Sequence, residues 1–238
     1  MLAITNHTFP QQAEAELNRQ GHRVLRLPPH PSLPSPVASH PDMLLFFAKD
    51  KILCTKSYYQ IALRELDEVS RVCGLPLHFI DAEYGSEYPF DVLLNALPLG
   101  EHLFCNTKTV APELLYLGLI SKHVKHVKQG YTKCSALPLG DRALICADAS
   151  IAAAARESGI DVLQIEAGHI TLEGYDYGFI GGCASFAPFG GLETVCFCGD
   201  LAQHPAKKRI KSFCAMHHFE VCSLGDFPLL DVGTIFMI

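Results

Sequence analysis

Five short apolar runs recur along the chain: Leu2-Ala3-Ile4-Thr5, Ile52-Leu53-Cys54-Thr55, Leu103-Phe104-Cys105-Asn106, Leu144-Ile145-Cys146-Ala147 and Val195-Cys196-Phe197-Cys198. Runs of this length and composition read as strands. Each is closed by a polar or small residue, namely Asn6, Lys56, Thr107, Asp148 or Gly199-Asp200. A helix-like segment follows each one, at 10–20, 58–73, 112–123, 150–158 and 205–217. Pro10, Pro112 and Pro205 stand near the first turns, where a missing N–H costs nothing. Gly21, Gly74 and Gly159 follow three of the segments, as helix C-terminal caps do. A second β-like run comes next, at 23–27, 77–80, 126–127, 161–165 and 219–223.

A loop and an inner run then complete each unit. The inner runs align as His40-Pro41-Asp42-Met43-Leu44-Leu45, Pro89-Phe90-Asp91-Val92-Leu93-Leu94, Thr132-Lys133-Cys134-Ser135-Ala136-Leu137, Asp176-Tyr177-Gly178-Phe179-Ile180-Gly181 and Leu229-Leu230-Asp231-Val232-Gly233-Thr234. Asp42 to Cys54 is the same distance as Cys134 to Cys146. Internal repetition of this kind marks a repeat architecture. Five units fill residues 1–238 as one α/β domain, a five-fold pseudosymmetric α/β propeller. The last unit lacks a closing strand and the first begins with a spare one. Ring closure answers both, with the N-terminal strand completing the last blade and leaving no open edge. An open α/β sheet with chance similarity is the alternative.

Composition narrows the function classes. The hydrophobic content of 49% supplies a large core, and 18% charged residues leave little that resembles a disordered segment. A net charge of −6 argues against nucleic-acid binding, which needs a cationic surface. The denser basic groups, 122–128 and 207–211, read as solvated helix ends. No apolar run reaches the length of a bilayer span, so no membrane partner is expected. Met1–Thr5 has no signal-peptide character, and ten cysteines without an export signal read as reduced cytoplasmic thiols. No CxxC pair exists, and His169, His204, His217 and His218 read as solvated or core histidines, so no metal is expected. No G-x-G-x-x-G follows a strand: Gly181-Gly182 and Gly190-Gly191 lack the spacing, and no P-loop is present. No cofactor is expected.

Several segments carry a family resemblance: His40-Pro41-Asp42-Met43, Gln129-Gly130-Tyr131-Thr132-Lys133-Cys134, the stretch from Gly174-Tyr175-Asp176 to Gly181-Gly182, and Pro228-Leu229-Leu230-Asp231-Val232-Gly233. In this order they resemble an uncharacterised bacterial branch of the pentein superfamily, the guanidino-group-modifying enzyme fold. The resemblance implies a central site with a cysteine nucleophile, a histidine from an H-x-D motif and acidic groups that hold a guanidinium. His40-Pro41-Asp42 fits H-x-D, and Cys134 fits the nucleophile. The related enzymes carry their cysteine on the last unit, which keeps Cys183, after Gly181-Gly182, as a second candidate.

The chemistry suits these residue types. Carboxylates recognise a planar guanidinium through paired hydrogen bonds, and Asp42, Asp91, Asp176 and Asp231 could supply them. Attack at the guanidinium carbon needs a thiolate, from Cys134, and His40 can protonate the departing amine and later activate water. Lys133, adjacent to Cys134 on what reads as a strand, is expected to face the opposite side. The expected function is a cysteine-dependent hydrolase or transferase acting on a small cationic guanidino or amidine compound. The alternatives are a non-catalytic binding module holding a cationic ligand or a partner's Arg side chain, and a structural protein with a packed polar plug.

Overall fold

The computed structural model of the protein describes residues 1–121, 123–189 and 191–238. Lys122 in the basic group at 122–128, and Gly190 of the Gly190-Gly191 pair, lie outside the described residues. In chain order the strands and helices begin with β1 (Leu2–Thr5), α1 (Gln11–Arg19), β2 (Arg23–Arg26) and α2 (Pro41–Leu44). They continue with β3 (Phe46–Phe47), β4 (Ile52–Thr55), α3 (Lys56–Ile61), α4 (Leu63–Cys73) and β5 (Leu77–Ile80). The third repeat holds β6 (Leu97–Leu99), β7 (His102–Cys105), α5 (Pro112–Ser121) and β8 (His123–His126). The fourth holds α6 (Thr132–Ser135), β9 (Ala136–Leu139), β10 (Ala143–Cys146), α7 (Ala149–Glu157) and β11 (Asp161–Gln164). The chain ends with β12 (Ala184–Phe189), β13 (Leu192–Phe197), α8 (Lys207–Met216), β14 (Glu220–Ser223) and β15 (Phe236–Met237).

These strands form five three-stranded sheets of one design. A middle strand pairs parallel with the strand that follows its helix and antiparallel with an inner strand. The middle strands β4 and β10 are buried at every position, between a helix and the neighbouring sheets. That double burial explains their unbroken apolar sequence. Polar residues at the strand ends start the helices. The Thr55 hydroxyl accepts from Tyr58 N at 3.1 Å, and the Asp148 carboxylate accepts from Ile151 N at 2.9 Å. Both are N-caps. The outer strands are partly exposed and carry charge, such as Arg23, Lys125 and Glu220, which discourages edge-to-edge pairing.

The ring closes through β1 and β15. Ala3 pairs with Met237 and Ile4 with Phe236, and Leu2 and Ile238 exchange both backbone hydrogen bonds at 2.7 and 2.9 Å. The last residues of the chain thus supply the inner strand of the sheet that the first residues begin.

Three local expectations are corrected. The segment 58–73 is two helices, broken at Ala62, whose φ of −112° and ψ of 33° leave the helical range. The third helix ends at Ser121, and its outer strand runs His123–His126 instead of 126–127. The third correction concerns the aligned inner runs. Asp42 and Cys134 lie in single helical turns, α2 and α6, just ahead of the inner strands. The equal spacings from Asp42 and Cys134 also hide unequal hairpins. Four residues separate Phe47 from its partner Ile52, and three separate Leu139 from Ala143. Within the two turns it is Met43, and not Asp42, that stands third as Cys134 does.

Candidate functional site

Four segments meet where the inner turns converge. Asp42 N donates to Gly233 O at 3.0 Å, Gly182 N to Cys134 O at 2.9 Å, and Thr234 N to Gly182 O at 2.9 Å. The backbones approach so closely that a Cβ on Gly182 would lie 2.0 Å from Asp231 Oδ1. The Gly181-Gly182 pair is therefore a packing requirement of the centre.

Asn95, which sequence reasoning passed over, locks the candidate nucleophile. Its Oδ1 accepts from the backbone N–H groups of Lys133 at 2.7 Å and Cys134 at 3.3 Å. Its Nδ2 donates to Cys134 Sγ at 3.0 Å and to Asp42 O at 3.2 Å. Asp231 is held as firmly, with Oδ2 accepting from Phe179 N at 2.8 Å and Oδ1 from Gly233 N at 3.0 Å. His40 Nδ1 lies 3.9 Å from Asp231 Oδ1, while His40 Nε2 and Asp42 Oδ1 are buried without a hydrogen-bond partner.

The Lys133 ammonium reaches the Asp42 side of this centre and not the cavity that Cys134 lines. Thr132–Ser135 is a helical turn, so adjacent side chains are separated by about 100° and not by the alternation of a strand. Lys133 Nζ donates to Thr234 Oγ1 at 2.9 Å, and that hydroxyl lies 2.8 Å from Asp42 Oδ2. Thr234 holds this place with a φ of +69°, uncommon for a non-glycine residue. The centre therefore gathers one ammonium, from Lys133, and two carboxylates, from Asp42 and Asp231.

Burial governs the protonation of every group. It pushes the Cys134 thiol well up, and the charges of Asp42 and Asp231 push it further. It lowers His40 to about 4, against a smaller upward pull from Asp42. It raises Asp231 to about 6, opposed by its two N–H donors and Lys133. It raises Asp42 and lowers Lys133, each opposed by the charge of the other. At neutral pH the site thus holds a thiol and a neutral imidazole.

A cavity of about 230 Å³ opens onto this centre, with Cys134, His40 and Asp231 in its wall. Tyr131, Tyr175, Tyr177 and Phe179 form much of the rest. The Tyr131 and Phe179 rings stack at 6.2 Å, and Tyr177 meets Phe179 edge-on at 6.0 Å. Two depressions, of about 190 and 200 Å³, share Lys133, Pro138 and Phe236 instead, and neither shares a lining residue with the first.

The expected site residues separate into three groups. Cys134, His40, Asp42 and Asp231 come together, although Asp42 lines one of the Lys133 depressions and not the thiol cavity. Asp176 sits exposed on the thiol cavity's rim, and Asp91 lies behind its wall, where Oδ2 accepts from the Tyr131 hydroxyl at 2.6 Å. Cys183 is fully buried in an apolar cluster with Ile180 and Leu229, and lines none of these three cavities. Among the described residues no group of three or more His, Cys, Asp or Glu side chains could hold a metal ion, and no helix is long and apolar enough to cross a membrane.

Three solved structures share this architecture at low sequence identity. A citrulline complex of DDAH from Pseudomonas aeruginosa has a TM-score of 0.53 at 11% identity, covering 93% of this chain and 91% of that one. A Microseira wollei amidinotransferase of the saxitoxin biosynthetic pathway has a TM-score of 0.55 at 14% identity, covering 97% and 93%. An agmatine deiminase from C. jejuni has a TM-score of 0.52 at 9% identity, covering 94% and 87%. No curated protein matches the sequence. The likeness to these structures establishes the pentein fold. A model for a family of unknown function, DUF6873, matches residues 4–236, and the chain belongs to that family.

Proposed function

We propose that this chain is a cysteine-dependent hydrolase or transferase that acts on a small guanidino or amidine compound in the thiol cavity. The observation that carries the reading is the joint presence of Cys134, His40 and Asp231 in the wall of one cavity, with Asn95 donating to the sulfur. The three structural neighbours named above are a DDAH, an amidinotransferase and an agmatine deiminase, which supports the same general chemistry.

The roles follow from charge. A cationic substrate beside Asp231 offsets the excess negative charge of the centre and stabilises the Cys134 thiolate. The thiol proton passes to the neutral His40, whose Nε2 has no other partner. The thiolate attacks the central carbon, and a C–S bond forms as His40 returns the proton to the departing amine and the C–N bond breaks. In a hydrolase, water deprotonated by His40 then bonds to that carbon as the C–S bond breaks, and His40 returns the proton to the released thiolate; in a transferase an acceptor amine takes the place of water. Asn95 Nδ2 steadies the charge on sulfur throughout.

A second reading is a binding module that holds a cationic ligand or a partner's Arg side chain. The raised Cys134 thiol favours it. Reaction with 2-chloroacetamidine, read by peptide-mapped mass spectrometry, separates the two. Cys73 and Cys222 are the half-buried thiols and the other eight are buried, so a neutral alkylating agent is expected to modify those two first. The cationic amidine is expected to modify Cys134 preferentially. Modification of Cys73 and Cys222 by the amidine, with Cys134 untouched, would exclude the catalytic reading.

A further inference from the structure

On the guanidine reading of the cavity, we infer that its ligand is a guanidinium or amidinium borne on an uncharged apolar or aromatic body, and that amino-acid substrates are excluded. Among the described residues, no Lys or Arg lines the cavity, and its only carboxylates are Asp231 at the inner end and Asp176 at the rim. An α-carboxylate on the ligand would have to give up its water with no cation to receive it, and would face Asp176 on the way in. Lys133, the basic residue adjacent in sequence to Cys134, is committed elsewhere. Its ammonium donates to Thr234 Oγ1 at 2.9 Å and lines the other two depressions.

The remaining wall suits an apolar body. Val37, Met43 and Leu172 supply aliphatic surface beside the four aromatic rings. The rings of Phe179 and Tyr177 lie at 86° to one another, so the wall offers one ring face beside another ring's edge. A planar cation gains from a ring face, and an aromatic body gains from both arrangements. The inner end supplies the charge complement. Each Asp231 oxygen uses one acceptor site on a backbone N–H and keeps another for a guanidinium. The size fits as well: about 230 Å³ is below the ~300–1,000 Å³ of sites for drug-sized ligands.

The experiment is calorimetric titration and thermal-shift measurement on the full chain with four compounds. They are phenylguanidine, its neutral isostere phenylurea, arginine, and agmatine, which is arginine without its carboxylate. Phenylguanidine is expected to bind and raise the melting temperature. Agmatine should bind more tightly than arginine, and arginine at least about tenfold more weakly than phenylguanidine. Phenylurea should give no shift. Tyr177 is 41% exposed, so Tyr177→Ala leaves the core intact and is expected to weaken phenylguanidine. Arginine binding as tightly as phenylguanidine, agmatine no better than arginine, or phenylguanidine unaffected by Tyr177→Ala would each overturn the inference and leave the guanidine reading standing. Binding of phenylurea as tight as that of phenylguanidine, or no binding by any of the four, would overturn the guanidine reading and the inference with it.

Discussion

Cys134→Ala is expected to abolish turnover of any guanidino or amidine substrate, by roughly 10⁴-fold or more, as removal of a covalent nucleophile does. The folded state should survive, because the backbone hydrogen bonds at position 134 do not depend on the side chain. The N–H and carbonyl there remain bonded to Asn95 and Gly182. Ligand affinity should persist too, since Asp231 and the aromatic wall stay in place. Cys183→Ala is the matched control. That thiol packs in an apolar cluster, so its loss should lower stability modestly and leave turnover intact. Steady-state kinetics and ligand titration on the two variants give the comparison. Equal activity in Cys134→Ala and the parent protein would remove the thiol from the mechanism, whereas loss in Cys183→Ala alone would move the nucleophile there.

Lys133→Met is expected to cost about 3–5 kcal/mol of stability, because it leaves buried carboxylates without their cation. For a chain of this length that corresponds to a melting temperature lower by roughly 6–20 °C. The origin is the chain of contacts from Lys133 Nζ through Thr234 Oγ1 to Asp42 Oδ2. Adding Asp42→Asn to Lys133→Met should recover much of the loss, since it removes the stranded charge. Urea denaturation of the single and double variants reads both numbers. A Lys133→Met protein as stable as the parent would mean that the ammonium does not neutralise the centre.

The ring was legible in the sequence because its causes are local. The middle strands carry buried stretches and so are written as apolar runs, and polar residues that close them are helix caps, as Thr55 and Asp148 are. Closure was legible from one spare strand and one missing strand. The site was legible only in part. Cys134, His40, Asp42 and Asp231 stood out by residue type and by position in the repeat. Asn95 did not, because it sits inside the apolar run Leu93-Leu94-Asn95-Ala96-Leu97 and its role depends on contacts 39 residues away. Thr234 was invisible for the same reason, meeting Asp42 across 192 residues. The turn that carries Lys133 and Cys134 was misread as a strand, because four helical residues are too short a sequence to show a period. Asp91 matched the column by spacing, yet its carboxylate is bonded to Tyr131 behind the cavity wall.

The central claim is that one cavity joins a reactive thiol to a carboxylate that holds a cation. A crystal structure of the chain after reaction with 2-chloroacetamidine tests it most directly. The account predicts density continuous from Cys134 Sγ, with the amidinium hydrogen-bonded to Asp231 and flanked by Tyr177 and Phe179. An adduct on Cys183, or one on Cys134 whose amidinium points away from Asp231, would contradict it.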